Sequence, residues 1–392
     1  MQRTFYSLVA AGAALIACCY GFARFAYGLF VPTFTEHFHL TPTMIGVIGA
    51  GSYVGYCVAI VTSLALTERI GPRRTAVIAG VVATTGLSVV ASAPAAWVLA
   101  VGILMAGTST GLASPPLAAA VAQRLTGHIA DRAQTFVNAG TGLGVVASGP
   151  IAYLLTEQWR LAWAVYAALA ALVTAWVAVT LRGEVRNQQG RTDFRRWHRP
   201  GTVALLTASL LCGVGSIAIW NFGRDVISQS HAGGLATASW IVLGAAGIVG
   251  ALGGDLVQRM GFRTAWLAVV TAMSAATVLL AVAVPHAAAV LLAVTVFGAT
   301  YICMTGLLLI WGTRVYRESA SFGVGLAFFA LAAGQGLGAP LTGLLTESFG
   351  HLTAFVTAAA TGAASLLLPP ASRRAGGDVP DSAPSDAPLR RP

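Results

Sequence analysis

Apolar residues occupy long stretches of this chain, and short polar connections separate one stretch from the next. Each stretch has roughly 20 or more residues, enough for a helix to cross a ~30 Å hydrocarbon layer. The chain is therefore expected to be an all-α membrane protein. The pattern predicts twelve transmembrane helices, at residues 6–32, 44–66, 74–93, 96–123, 133–155, 160–181, 202–227, 239–257, 264–284, 287–313, 320–345 and 351–369.

The composition and one polar interruption indicate how these helices are grouped. Of the 392 residues, 56% are hydrophobic and only 9% are charged, and the mean hydropathy is +0.76. A long polar segment, a basic cytoplasmic linker at 182–201, divides the helices into six and six. We therefore predict an N-terminal bundle at 1–181 and a C-terminal bundle at 202–369. The last residues, 370–392, are rich in Pro, Ala, Asp and Arg, and we predict a disordered cytoplasmic tail there.

The basic residues predict the orientation. The net charge is +10, and all 23 basic residues are arginines that lie mostly in short connections between apolar stretches, where they report topology rather than nucleic-acid binding. With the N-terminus in the cytoplasm, twenty arginines are cytoplasmic, Arg160 and Arg224 are external, and Arg24 alone is inside the membrane. The sequence predicts a multi-pass protein of the cell (inner) membrane with both termini in the cytoplasm.

An internal repeat relates the two sets of helices. The segment "ERIGPRR" begins at residue 68 and "QRMGFR" begins at 258, an offset of 190. The same offset separates Pro150 in "GPIAYLLTE" from Pro340 in "APLTGLLTE", and Gly107 and Gly298 differ by 191. Repeated landmarks at nearly one spacing indicate a duplicated six-helix unit, and hence two pseudo-symmetric bundles.

With these features the chain resembles the major facilitator superfamily over residues 1–369. That family carries Gly-x-Leu-Ala-Asp-Arg-x-Gly-Arg-Arg after its second helix. Here the second copy reads "GDLVQRMGFR" and the first reads "LALTERIGPR", with Leu64 in place of the leading glycine. The resemblance implies a turn that helps to set the conformational equilibrium, whereas anchoring by positive charge on the cytoplasmic side is an equally weighted interpretation. The residues carried over are Glu68, Arg69, Gly71, Arg73, Gly254, Arg259, Gly261 and Arg263.

Arg24 is the first candidate for substrate binding. A charged residue at the centre of a transmembrane helix costs roughly 2.5–3.5 kcal/mol on insertion scales and generally faces a protein interior or a wet cavity. Helical spacing places Tyr20, Arg24 and Tyr27 on one face, where two phenols and a guanidinium would cradle a carboxylate or similar oxyanion. The alternative is structural: Arg24 could cap helix carbonyls near a kink or pair with Glu36.

Further polar groups are expected at the membrane centre. The resemblance implies that the first, fourth, seventh and tenth helices line a central cavity, which makes candidates of Thr108, Trp220, Asn221 and Tyr301. Taken singly, each is more often an interhelical hydrogen bond than a ligand contact.

The sequence gives little indication of a metal site, a cofactor or a catalytic centre. The five cysteines fall within apolar stretches without metal-ligand spacing, and the seven histidines lie in connections or at helix edges, so we expect no metal, no cofactor and no proton carrier at the membrane centre. The segment "GTSTG" at 107–111 matches a nucleophile motif, but that motif requires a turn between a strand and a helix. Ser109 lies in an apolar helix instead, so an enzyme is not predicted.

The sequence therefore predicts a secondary transporter that works by alternating access, as a monomer surrounded by lipid. The favoured substrate is a small organic or inorganic anion held by Arg24, Tyr20 and Tyr27, with a coupling proton or counter-substrate left open. The alternative is an exporter of neutral or amphiphilic compounds, such as drugs or sugars. A receptor or scaffold built on a transporter fold is a third class.

Overall fold

The computed structural model describes residues 2–40, 42–155, 158–181, 199–224, 226–227 and 233–368. Most of the predicted linker and all of the predicted tail from residue 370 lie outside these residues. The helices, numbered by transmembrane crossing, are α1 (Gln2–Ile16, Ala17–Phe25 and Ala26–Phe38), α2 (Pro42–Ile70), α3 (Pro72–Ala91), α4 (Ala96–Arg124), α5 (Gly127–Asn138 and Gly140–Leu154), α6 (Trp159–Thr180), α7 (Thr202–Ile217 and Ala218–Gly223), α8 (Gly233–Val249, Gly250–Leu252 and Gly253–Met260), α9 (Phe262–Ala283), α10 (Ala287–Val315), α11 (320–349) and α12 (351–364).

The predicted fold class is confirmed. Ten helices within the described residues are long and apolar enough to cross a membrane. One of them, Phe322–Leu367, contains both α11 and α12, because Gly350 interrupts it with a φ of 81°. The two pieces of α5, of 12 and 15 residues, supply the remaining crossing. These helices form the two bundles that the repeat predicts.

Matching turns support the duplication. Gly71 joins α2 to α3 with φ 85° and ψ 161°, and Gly261 joins α8 to α9 with φ 79° and ψ 157°. Only glycine adopts such positive φ angles at no steric cost. The two glycines are separated by the offset of 190 found in the sequence, so both copies of the motif fold into the same turn.

Glycines also set the packing within each half. A Cβ atom at Gly140 or Gly144 of α5 would overlap the backbone of α1 at Ala13 or Ala17. In the second half, a Cβ at Gly334 of α11 would overlap the backbone of α7 at Leu210. Helices that lack side chains at these points can pack closely against each other. Because lipid is as apolar as the helices, the hydrophobic effect does not drive their association, and this close van der Waals packing does so instead. Close backbone contact at glycines thus occurs in equivalent helix pairs of the two halves, α1 with α5 and α7 with α11.

The two halves meet through several pairs of helices, among them α5 with α8 and α2 with α11. Gly142 of α5 lies against Gly244 and Gly247 of α8, and Gly325 of α11 lies against Leu64 of α2. A cluster of arginines marks one end of the molecule, where Arg73 Nε donates to the Ala178 carbonyl. We refer to this end, which contains the turns at Gly71 and Gly261, as the basic end.

Candidate functional site

Arg24 lies at the interface between the halves. It belongs to the middle segment of α1, Ala17–Phe25, which is a π-helix. Its guanidinium is half-buried, and Nη2 donates a hydrogen bond of 2.6 Å to Oε1 of Gln335 on α11. The side chain therefore points into the protein and connects the N-terminal half to the C-terminal half.

Gln335 extends this connection to two more helices. Its Nε2 donates to the hydroxyl of Tyr301 on α10 at 3.1 Å and to Oγ of Ser216 on α7 at 3.4 Å. Gln335 is only 1% exposed, so its amide is held firmly among these partners. The charge on Arg24 is thus linked through one amide to three helices of the second half.

Four aromatic rings surround the guanidinium. The Arg24 Cζ atom lies 6.0 Å from the ring centroid of Tyr20, 5.3 Å from that of Phe25, and 4.9 Å from those of Tyr53 and Tyr56. The Tyr20 hydroxyl also hydrogen-bonds the Tyr56 hydroxyl at 3.0 Å and Ser114 Oγ at 2.9 Å. Cation–π attraction of this kind stabilises a charge without neutralising it.

The positive charge of Arg24 has no carboxylate partner among the described residues. The ion pairs there join Arg132 to Asp255, Arg314 to Asp131, and Arg199 to Glu318. A guanidinium has five N–H donors, and Arg24 uses one of them in a hydrogen bond to this part of the chain. The pairing with Glu36 considered from the sequence is not formed, and Glu36 is exposed. Arg24 therefore keeps donors for an anionic group.

An aromatic layer adjoins this polar group. Phe25, next to Arg24, stacks on Trp220 with ring centroids 4.1 Å apart and an interplanar angle of 19°. Trp220 lies in the second π-helical segment, Ala218–Gly223 of α7, so the π-segments of the two halves face each other. Tyr301 and Phe297 contact the Trp220 ring at 5.1 and 6.1 Å.

The structure brings together only some of the predicted ligands. Tyr20, Trp220 and Tyr301 lie beside Arg24 or in the aromatic layer, as described above. Tyr27 instead stacks on Phe34 at 6.1 Å, because the π-helical winding before it changes the α-helical spacing on which the prediction relied.

Two further candidates lie elsewhere. Thr108 packs against Gly55 of α2 and donates to the Leu104 carbonyl at 2.7 Å, which makes it a contact between α2 and α4. Asn221 is exposed. Neither is in hydrogen-bond contact with Arg24 or Gln335 in the described part of the chain.

Other site residues were not among the predicted ligands. They are Tyr53, Tyr56, Ser114, Ser216 and Gln335. Two signals in the sequence could have indicated them. Tyr53 and Tyr56 place two phenols on neighbouring turns of an apolar helix, and Gln335 is a large amide inside the glycine-rich "GQGLG".

The second copy of the sequence motif lies beside contacts that join the halves at the basic end. Asp255, adjacent to Gly254, pairs with Arg132 Nε at 2.7 Å. The Arg314 guanidinium covers the ring of Phe262, the residue after Gly261, with its Cζ atom 4.9 Å from the centroid, and it pairs with Asp131 at 2.8 Å. The turn at Gly261 thus lies next to two ion pairs between the halves.

We expect Asp255→Asn to open the basic end more often. Partly exposed ion pairs contribute about 0.2–1 kcal/mol, so labelling of Cys303 by a membrane-impermeant maleimide should rise about two- to fivefold. Cys303 is buried against Gly253, directly behind this contact. Mass spectrometry would identify the labelled cysteine. Glu318→Gln is the matched control, because Glu318 pairs with Arg199 of the linker and this ion pair does not join the two halves. Equal labelling of Cys303 in both variants would contradict the role of the Asp255–Arg132 ion pair in keeping the basic end closed.

Two helical bundles that meet around a buried polar centre define a multi-pass membrane protein of the transporter type. A family model described as Major Facilitator Superfamily matches residues 13–332. Because that match covers most of the chain, the chain belongs to this superfamily of transporters.

Known proteins add three similarities. The transcription regulatory protein OpdE of Pseudomonas aeruginosa is 28% identical over 370 residues, which cover 89% of this chain and 90% of OpdE. The proton:xylose symporter XylE, bound to 6-bromo-6-deoxy-D-glucose, matches with a TM-score of 0.73 and 16% identity over 93% of this chain and 95% of XylE. FucP, in the outward conformation, matches with a TM-score of 0.69 and 14% identity over 93% of this chain and 98% of FucP. At these identities the two structures establish the fold alone.

Proposed function

We propose that the chain is a secondary transporter of small organic or inorganic anions, with Arg24 as the group that binds the anion. One observation carries this proposal: a half-buried guanidinium lies between the two halves, without a carboxylate partner among the described residues. A carboxylate or similar oxyanion binds a guanidinium more strongly than a neutral amide does. A substrate would therefore compete with Gln335 for Arg24.

The position of Arg24 links binding to movement. Its hydrogen bond to Gln335 joins the halves, and in alternating access the halves rock about a site at their interface. An anion that takes over this hydrogen bond changes how firmly the halves are held together. We propose that the basic end faces the cytoplasm, since positive charge favours that side. We also propose a monomer in the inner membrane, with bundles at 1–181 and 202–369.

A panel of ligands tests the anion proposal. Purified protein in detergent would be heated with small carboxylates, phosphate, sulfate, sugars and neutral amphiphiles. A ligand at a hundred times its dissociation constant adds about 2.7 kcal/mol of stability, so a bound anion should raise the unfolding midpoint while sugars leave it unchanged. Stabilisation by neutral compounds alone would favour the exporter, in which Arg24 and Gln335 have only a structural role.

The similarity to OpdE favours a second candidate, a receptor that uses the transporter fold to sense a solute. The name of that relative describes a transcription regulatory protein, and the similarity extends over 89% of this chain. Flux measurements in proteoliposomes separate the two functions, because a transporter moves the anion that stabilises it and a receptor only binds it. Flux at two external pH values would also report on a coupling proton.

A further inference from the structure

The rings of the aromatic layer beside Arg24 are buried and form a continuous series of contacts between the two halves. Phe25 stacks on Trp220, whose edge meets Tyr301, and Tyr301 stacks on Phe297 with centroids 5.7 Å apart at 18°. Tyr53 and Tyr56 cover the guanidinium from the side of α2. The apolar part of any ligand that reaches Arg24 would therefore meet mainly aromatic rings.

Trp220 adds an independent indication of a ligand. Its side chain is only 7% exposed, yet its indole Nε1 has no hydrogen-bond partner among the described residues. A buried donor without an acceptor is costly, and native proteins retain few such groups. This donor belongs to the ring that stacks on Phe25, so it lies within the aromatic layer itself. A ligand with an acceptor oxygen beside its apolar part would satisfy it.

We propose that the substrate is a small aromatic carboxylate. Its carboxylate binds Arg24, and its ring packs against the layer formed by Phe25, Trp220 and Tyr301. Stacked or edge-on contact between two aromatic rings contributes more binding free energy than burial of the same apolar area alone. This inference rests on the anion-binding function proposed above and narrows the class of anion.

Four probes separate the effect of the negative charge on binding from the effect of the aromatic ring. They are benzoate, cyclohexanecarboxylate, acetate and benzyl alcohol. Their dissociation constants would be measured by ligand-induced stabilisation of the full-length protein. We expect benzoate to bind about three- to tenfold more tightly than cyclohexanecarboxylate, which has the same charge and a similar size. Acetate lacks the ring and benzyl alcohol lacks the charge, so both should bind more weakly than benzoate.

Variants on α1 distinguish the contribution of the ligand's ring from that of its carboxylate charge. Phe25→Leu should remove the preference for benzoate over cyclohexanecarboxylate, whereas Arg24→Lys should weaken both carboxylates together. Phe30→Leu is the matched control, because Phe30 packs against Phe34 and Trp163 away from Arg24. If Phe25→Leu does not fold, Trp220→Phe retains a ring, removes the indole donor and should weaken benzoates with an acceptor substituent more than benzoate.

The outcomes separate this inference from the function on which it rests. Equal affinity for benzoate and cyclohexanecarboxylate, with both dependent on Arg24, would overturn the aromatic substrate and leave an anion transporter. Failure of all three carboxylates to bind while phosphate or sulfate binds would also overturn only the aromatic substrate. Binding of benzyl alcohol as tightly as benzoate, or failure of the carboxylates, phosphate and sulfate all to bind, would overturn the anion function as well. Tight binding of benzoate that is unchanged in Phe25→Leu would place the ring elsewhere and also contradict the inference.

Discussion

Replacing Arg24 with alanine should lower anion uptake into proteoliposomes at least about a hundredfold. The reason is the number of charge-assisted hydrogen bonds that a bidentate anion would lose, since each contributes about 1.5–3 kcal/mol. Arg24→Lys keeps the charge but loses the planar fork of donors, so uptake should fall about tenfold. Initial rates of uptake of a labelled anion, at matched protein content, would measure both effects.

A second arginine supplies the control for this experiment. Arg160 also lies over an aromatic ring, with its Cζ atom 4.3 Å from the centroid of Trp159, and it donates to the Ala93 carbonyl. It lies on α6, and in these interactions it contacts only the N-terminal half. Arg160→Ala should therefore retain most of the uptake. Normal anion uptake by a well-folded Arg24→Ala protein would contradict the proposed function.

Replacing Gly21 with alanine should lower the stability of the folded protein by about 3 kcal/mol. A Cβ atom at Gly21 would overlap the backbone of Gly144 on α5, and a backbone cannot rotate away as a side chain can. Overpacking at a tight contact typically costs 1–3 kcal/mol and occasionally more. The measurement is the thermal unfolding midpoint in detergent, together with the yield of monodisperse protein.

Gly28 provides a control on the same helix. A Cβ atom at Gly28 has no neighbour within 4 Å, and its carbonyl, which accepts a hydrogen bond from Arg224, is unaffected by the substitution. Gly28→Ala should be neutral or should stabilise α1 by up to about 1 kcal/mol, because alanine favours the helix. If both variants lowered the midpoint equally, loss of glycine rather than contact with α5 would be responsible.

The fold could be predicted from the sequence because its signals are local. Length and hydropathy identify each transmembrane helix, and the repeat at an offset of 190 identifies the pairing of the halves. The turns at Gly71 and Gly261 confirm that pairing in their backbone angles. Arg24 could likewise be singled out, since a charge in an apolar helix needs an interior environment.

The composition of the site could be predicted only in part. The partner of Arg24 is Gln335, which is 311 residues away along the chain and meets it only because the halves pack together. Helical spacing indicated Tyr20 correctly as a neighbour of Arg24, but it also indicated Tyr27, which packs on Phe34. Nothing in the residues 17–25 reveals that their backbone hydrogen bonds follow a π-helical pattern.

That backbone pattern has a consequence for how the molecule could change shape. In the segments at Ala17–Phe25 and Ala218–Gly223, each N–H reaches a carbonyl five residues back, and a carbonyl four residues back stands next to it. Exchanging one acceptor for the other would rotate the outer part of the helix against the inner part. In hydrocarbon, where an unsatisfied backbone group costs several kcal/mol, such an exchange keeps every group bonded. An exchange of this kind in both segments would let one helix of each half rotate at the level of Arg24 and Trp220.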